Sequence, residues 1–435
     1  MKKDNKYTNL ISIMLLISVS GILSLVFYYN SSSQWHLEGV SKVIAQGMLL
    51  YLLIIFARTV VLIILSFLEF FYQKKIRKPT AYPLVSIIVP CFNEEKVLKN
   101  AIKSVAQLNW PNLEVVVIDD GSKDLTLEVA KECEHKGRVR VIYQENGGKA
   151  AALNRGISEA IGEYVLCVDA DSVLEKDVIE RGIVFFELKP KLAAVAGSVK
   201  LGNVNNLLTK FQNLEYVIGL NFNKTAQSFL SLVTIVPGPI GLFKKDVIEK
   251  IGGYHTDTYA EDCDLSMRLL MAGHEIIYCP KMIAHTEAPE EFHSLITQRY
   301  RWSRGIIQAI VKNSKWLFFP HKNIRNFLII LYMTVESIFI PIFNFAFAAV
   351  TIEHALIYGN TVMLGPYFIG LTVLDLILTL YSVTTERSPM ILELLAGANR
   401  VTYGLALEIL RFFAIIDEIF KLPMKWGTLV RKGMS

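Results

Sequence analysis

Two patterns of apolar residues alternate along this chain. From about Thr8 to Tyr29 the run TNLISIMLLISVSGILSLVFYY carries no charge, and its length matches the roughly 20 residues a helix needs to cross a bilayer's hydrocarbon core. It is too long for the apolar core of a cleaved leader, and no small-residue cleavage site follows, so it reads as a retained anchor. A second block, about Val43 to Phe71, is interrupted only by Arg58 and closed by Glu69. Inserting an arginine at such a depth costs about 2.5–3.5 kcal/mol, so Arg58 is expected to face a partner helix or a polar cavity. A third block runs from about Asn326 to Ile352, with Glu336 and Pro341 inside it, and a fourth from about Val362 to Val383, containing Asp375. Beyond them, Met390 to Leu422 is apolar but carries Glu393, Arg400, Glu408, Arg411, Asp417 and Glu418. That pattern fits either polar-faced crossings inside a bundle or helices lying at the membrane interface.

Between these blocks, about Lys74 to Arg325, the period changes. Short β-branched runs (VSIIVP at 85–90, EVVVID at 114–119, VRVIY at 139–143, EYVLCVD at 163–169) alternate with helical patterns from Glu94, through Leu125–Cys133 and around Ala150–Ala160. Continuous apolar strands separated by helices predict a mostly parallel sheet covered on both faces. The segment from about Glu290 to Leu317 sets Phe292, Leu295, Ile296, Trp302 and Ile306 among Arg299, Arg301, Arg304 and Lys312, which predicts an amphipathic helix at an anionic membrane surface. The expected organisation is two N-terminal membrane helices (1–73), an α/β domain (74–289), interface helices (290–325) and a C-terminal membrane region (326–435).

Composition agrees with this division. Of 435 residues, 52% are hydrophobic and 20% charged, against about 25% charge in an ordinary soluble protein. The excess resides in the four blocks. The net charge of +5 is small, and basic residues do not interleave with aromatics as in a nucleic-acid groove, so nucleic acid is not an expected partner. Lys2, Lys3 and Lys6 precede the first block, and Lys74, Lys75, Arg77 and Lys78 follow the second. The positive-inside rule therefore predicts a multi-pass protein of the cytoplasmic membrane with the α/β domain in the cytosol. Cys91, Cys133, Cys167, Cys263 and Cys279 form no C-x-x-C pair and are odd in number, consistent with a reducing compartment.

In parallel sheets, ligands bind beyond the carboxyl ends of the strands. There the first strand runs into Pro90-Cys91-Phe92-Asn93-Glu94-Glu95, the second into Asp119-Asp120-Gly121-Ser122, and the fourth into Asp169-Ala170-Asp171. Acidic groups converging on one sheet edge repel one another unless a cation or donors sit among them, and the D-x-D spacing suits an oxygen-ligated divalent metal bridging to phosphates. A D-x-D pair in isolation is as readily a solvated turn. Asn146-Gly147-Gly148-Lys149 precedes a helix carrying Asn154; such a turn reads either as an anion site at a helix N-terminus or as an ordinary loop.

Taken in order and spacing, PCFNEE, DDGS, NGGKAAALN, DAD, the AED at Ala260–Asp262 and QRYRW at Gln298–Trp302 resemble the processive family 2 glycosyltransferases. These are membrane-embedded enzymes such as cellulose synthase, hyaluronan synthase and bacterial poly-β-1,6-N-acetylglucosamine synthase. The likeness extends over nearly the whole chain, including a closing Trp426-Gly427 and Arg431, and TEAPEEFHSLITQRYRW is most similar to the poly-N-acetylglucosamine and hyaluronan branch.

The resemblance implies a GT-A-like nucleotide-sugar-binding fold. It implies that Asp120 holds the nucleotide, with Pro90, Phe92, Glu94, Lys149 and Asp169 around it, and that Asp169 and Asp171 bind Mg²⁺ or Mn²⁺ on the diphosphate of a UDP-sugar. Asp262 falls at the base position of a T-E-D motif, and Gln298, Arg301 and Trp302 fill a Q-x-x-R-W motif. Ala260 departs from the threonine usual in the first of these. Trp302 reads either as an interfacial anchor or, as expected here, as a ring stacked on the acceptor sugar. The implied partners are a UDP-sugar, foremost UDP-N-acetylglucosamine, a growing polysaccharide acceptor, the lipid bilayer and an accessory membrane subunit.

The chemistry is consistent. A single base without a second nucleophilic carboxylate favours inversion, and an aspartate at a helix N-terminus is expected to be held ionised. Two alternatives stand beside a polymerase that exports its product: a non-processive enzyme glycosylating a lipid, and a synthase using UDP-glucose or UDP-glucuronate. A nucleotide-gated transporter is disfavoured, because no G-x-x-x-x-G-K-[S/T] loop is present.

Overall fold

The computed structural model describes residues 39–74, 78–134, 138–359, 364–386 and 402–424, together with Ser20, Gly21, Ser24, Ser31 and Asn399. The expected first anchor, the lysines before it, the start of the Met390 to Leu422 block and the closing Trp426 to Arg431 stretch lie outside the described residues, save for those isolated positions.

The α/β domain is built on an eight-stranded sheet: β1 (Val85–Cys91), β2 (Leu113–Asp119), β3 (Val139–Tyr143), β4 (Tyr164–Cys167), β5 (Val173–Leu174), β6 (Leu192–Leu201), β7 (Gly241–Lys244) and β8 (Glu275–Thr286), in the order β3-β2-β1-β4-β7-β6-β8-β5. The first four run parallel in the order 3-2-1-4, as the alternating pattern predicts. The sheet as a whole is mostly parallel, as expected, with β5 and β7 running against the other strands. β7 pairs antiparallel with both β4 and β6, β8 returns parallel to β6, and β5 closes the edge antiparallel to β8. The sheet is mixed, because after β4 the chain no longer repeats a strand-helix-strand crossover at every step.

Both faces of the sheet are buried, which explains why its central strands lack a polar alternation. Ile87, Val89, Val115 and Val117 pack into one core, whereas Ile88, Val116 and Ile118 pack into another on the opposite face. The second face is covered by the Lys149–Glu159 helix and the Glu261–Met271 helix.

Among the described residues, two helices are long and apolar enough to cross a membrane, Lys42–Gln73 and Ile324–Ile357, and a shorter apolar helix covers Tyr367–Ser382. The second contains a π-helical turn, Val335–Phe339, immediately before Pro341 in the Ile340–Tyr358 helix. A proline ring collides with the carbonyl four residues back, and the wider turn makes room for it. Arg58 and Glu336 pair with each other across these helices through two side-chain hydrogen bonds. The Phe292–Asn313 helix buries Leu295, Arg299, Arg304, Ile307 and Ile310 in protein, packed between the α/β domain and the Tyr403–Ile419 helix, while Phe292 remains exposed.

Candidate active site

The carboxyl ends of β1, β2 and β4 form one edge of the site. β1 ends at Cys91 and the chain turns at Asn93, whose φ is 56°. That turn is tied to the β2 end, since Asn93 N–H donates to Ser122 Oγ at 3.0 Å and Lys123 N–H donates to Asn93 Oδ1 at 2.8 Å. Gly121 is required at the second turn: its φ is 74°, and a Cβ there would lie 2.8 Å from the Asn146 backbone nitrogen. Only a residue without a side chain occupies that conformation at that approach.

Asp120 is 3% exposed, and donors surround its carboxylate. Gly147 N–H donates to Oδ1 at 2.9 Å, Gly148 N–H to Oδ2 at 2.8 Å and Gln144 Nε2 to Oδ1 at 2.6 Å, while Asn146 Nδ2 reaches the Asp120 carbonyl at 2.9 Å. Asp120 therefore shapes the NGGK loop directly. Pro90 is buried in β1 opposite Ile118, Phe92 is 38% exposed at the mouth of the edge, and Glu94 N–H donates to Thr126 Oγ1 at 2.7 Å.

Lys149, the first residue of its helix, crosses the edge to the β4 end. Its Nζ lies 2.6 Å from Asp169 Oδ1 and 3.3 Å from Glu261 Oε1. Burial alone would lower the lysine's pKa, but Asp169 and Glu261 outweigh it and raise the value above the ordinary one. Asp171 is 6% exposed and accepts from Ser172 Oγ at 3.1 Å. The Pro237-Gly238-Pro239 loop closes over this pair, and a Cβ on Gly238 would lie 2.7 Å from Lys149 Nζ and 3.0 Å from Asp169 Oδ2. Asn154, from the same motif, instead pins the Tyr254 backbone with bonds of 2.8 and 2.7 Å.

The Glu261–Met271 helix brings three carboxylates to its first turn, and their surroundings separate them. Glu261 faces Lys149. Asp264 is fully buried against Arg268 at 2.8 Å and Lys312 at 3.2 Å. Asp262 has no ion pair among the described residues and accepts a 2.7 Å bond from Cys263 N–H. Its pKa is raised to about 6, mainly by burial and then by the Glu261 charge, against the lowering effect of Lys149 and the Cys263 N–H. The helix N-terminus is where it was expected, but burial outweighs the helix dipole, so the carboxyl holds its proton more tightly than expected.

Gln298, Arg301 and Trp302 lie on the Phe292–Asn313 helix, which closely approaches Ala260 at the start of the Glu261–Met271 helix. A Cβ at Gly305 would meet the Ala260 backbone nitrogen at 2.4 Å and the Ala260 Cβ at 2.5 Å. Trp302 is half-buried against the core beside the parallel strands.

Three further residues were not singled out from the sequence. Arg299, 4% exposed, makes a forked pair with Glu215, with Nε to Oε1 at 3.0 Å and Nη2 to Oε2 at 2.9 Å, and lies 4.2 Å over the Trp302 ring. Its signal was the i,i+3 spacing to Trp302, which puts both on one helix face. Gln144 was legible as the residue following β3 at the sheet edge. Lys224 is 6% exposed in the Asn223–Phe229 helix, and Asp262 is the charge that acts on it; burial lowers its pKa to about 8. A single lysine in a short helix gives no such signal.

A mixed sheet whose carboxyl edge presents an aspartate-bound glycine loop, a D-x-D pair with a lysine, and a separate buried carboxylate is the architecture of a GT-A-like glycosyltransferase domain. Residues 86–252 match the glycosyl transferase family 2 model. It is 34% identical over 230 residues to the poly-beta-1,6-N-acetyl-D-glucosamine synthase of Staphylococcus epidermidis, covering 53% of this chain and 56% of that protein. The enzyme of the same name from Staphylococcus aureus strain COL is 32% identical over 255 residues, 58% of this chain and 61% of its own length. The matched region thus spans less than two thirds of these curated relatives. Among solved structures, a mannosyltransferase from Pyrobaculum calidifontis in complex with GDP-Man and Mn²⁺ superposes with a TM-score of 0.52 at 18% identity, covering 95% of this chain and 100% of that one. That likeness concerns the fold.

Proposed function

We propose that this protein is a membrane-embedded inverting glycosyltransferase that adds sugar from a UDP-sugar, foremost UDP-N-acetylglucosamine, to a growing β-linked polysaccharide and passes the chain across the membrane. The observation that carries this reading is the separation of roles among the acidic groups. Asp169 and Glu261 share Lys149, Asp264 is neutralised by Arg268 and Lys312, and Asp262 remains beside the Gln298–Trp302 helix.

In the proposed reaction the acceptor hydroxyl gives its proton to the Asp262 carboxylate as its oxygen attacks the anomeric carbon. The bond from that carbon to the diphosphate oxygen breaks, and its electron pair leaves with UDP. Attack opposite the leaving group inverts the anomeric centre. A carboxyl with a pKa of about 6 is a stronger base than an ordinary aspartate yet is ionised at neutral pH. Asp120 and the glycine loop would seat the nucleotide between Phe92, Glu94 and the strand ends, Lys149 and Arg301 would face the leaving diphosphate, and Trp302 would carry the acceptor ring.

Asp169 and Asp171 offer two carboxylates one residue apart, and no group of three His, Cys, Asp or Glu suited to a metal occurs among the described residues. That donor set fits Mg²⁺ or Mn²⁺ held jointly by protein and diphosphate better than a full protein cage. A divalent cation there would supply charge stabilisation to the departing diphosphate.

Export is part of the proposal by the resemblance, and polar groups among the apolar helices pair with one another. Tyr51 Oη donates to Asn344 Oδ1 at 2.7 Å, Tyr367 Oη donates to the Asn344 carbonyl at 2.7 Å, and a small cavity there is lined by Asn344, Tyr367 and Glu408. We place the α/β domain in the cytosol, where UDP-sugars are found.

The test is to offer each radiolabelled UDP-sugar to membranes containing the protein and to size the product. A ladder or high polymer from UDP-N-acetylglucosamine is expected, with loss of product and retained UDP binding in Asp262→Asn. A single lipid-linked sugar would replace the polymerase reading with a glycolipid synthase, and unchanged product in Asp262→Asn would refute the base.

A further inference from the structure

The QRYRW segment contains an arginine that the proposed transfer reaction does not use, and it is bound at several points. Arg299 is 4% exposed. Its guanidinium forks onto Glu215 at 3.0 and 2.9 Å, donates to Gln298 Oε1 on the preceding residue, and covers the Trp302 ring at 4.2 Å and the Tyr216 ring at 5.7 Å. Glu215 in turn accepts a bond from the Tyr403 hydroxyl, and the Tyr403 ring stacks on Phe211 with centroids 5.6 Å apart. Burial would raise the Glu215 pKa, but Arg299 and Tyr403 overcome this and hold it below the ordinary value.

We propose that Arg299 is a positioning residue that fixes Gln298 and Trp302 for the acceptor sugar, with Glu215 and Tyr403 as its anchors. The inference rests on the acceptor role proposed for Trp302. The geometry requires arginine in particular. A planar fork satisfies both carboxylate oxygens while its flat face lies against the indole, whereas an ammonium is a point charge that does neither at once. One side chain thus sets the rotation of the glutamine amide and the tilt of the indole.

The test uses full-length protein in membranes and Arg299→Lys, which keeps a charge beside Glu215 and so avoids leaving a buried carboxylate unpaired. Polymer synthesis, hydrolysis of the UDP-sugar by water, UDP affinity and thermal midpoint are measured for it, for Trp302→Ala and for the double variant. Arg299→Lys is expected to keep UDP affinity and donor hydrolysis within about twofold and to lose about tenfold or more in polymer synthesis. If both act through one ring, the double variant is no worse than Trp302→Ala, because residues working as a unit are not additive.

Polymer synthesis at the wild-type rate, or losses that multiply in the double variant, overturns the inference. A parallel fall in thermal midpoint, UDP affinity and synthesis assigns Arg299 to folding alone and also overturns it. If the wild-type protein neither transfers nor hydrolyses any UDP-sugar, the functional reading itself fails, and this inference falls with it. Tyr403→Phe, which removes only the hydroxyl that Glu215 accepts, gives a smaller loss in the same direction if the anchor is as described.

Discussion

Gly305 and Ala260 lie back to back, with room for no additional atom between the Phe292–Asn313 helix and the residue that precedes the Glu261-Asp262 pair. The small residue at 260, where a threonine was expected, faces a helix that also gives up its side chain. Gly305→Ala should therefore push the Phe292–Asn313 helix away from Asp262. We expect a loss of stability of about 1–3 kcal/mol, typical of an overpacked contact, and a larger fall in turnover, measured by thermal unfolding in detergent and by initial rate.

The raised pKa of Asp262 predicts an acid limb in the rate profile. As the proposed base, Asp262 acts only when ionised, so turnover should fall as pH drops through about 6. Lys224 favours the ionised form by its charge. Lys224→Met should thus raise the Asp262 pKa and move the acid limb to higher pH, while Lys224→Arg should leave it near its original place. A limb that stays put in Lys224→Met would remove the lysine from the base's surroundings.

Asp120→Asn keeps the shape of the side chain but turns one acceptor into a donor facing the Gly147 and Gly148 N–H groups. Hydrogen bonds to a charged group contribute about 1.5–3 kcal/mol. The loop should loosen, and UDP affinity, measured by calorimetry, should weaken by about tenfold or more.

Arg58 and Glu336 answer the question raised by charges inside apolar blocks. They satisfy each other, so each single truncation strands a charge. Arg58→Leu or Glu336→Leu alone should destabilise the protein by about 3–5 kcal/mol, and the double variant should recover most of that. Yield of folded protein and unfolding temperature are the readouts.

Much of this arrangement was legible because it depends on local order. The runs at 85–90, 114–119 and 139–143 coincide with β1, β2 and β3, and the strand-end rule places Asp120 and Asp169 on one edge of the sheet. The sequence could not reveal what distant segments do to one another. That β7 runs antiparallel beside β4 depends on a chain reversal with no local signature. Burial of Asp262, with the Glu261 charge beside it, reversed the shift expected from its helix position alone. Arg299 stood beside two residues singled out by the motif, but its partner Glu215 lies 84 positions away. Pairing at such separation leaves no period to read.

The Tyr403–Ile419 helix returns to the Phe292–Asn313 helix at three further places: Arg304 donates to Glu418 at 2.7 Å, Gln308 donates to Glu418 at 3.1 Å, and Tyr300 donates to Asp417. Together with Tyr403 on Glu215, these contacts make that late helix part of the scaffold of the catalytic centre. It is not an interchangeable anchor. A chimera that replaced it with an unrelated apolar helix of equal length would lose the alignment of the helix that carries Trp302.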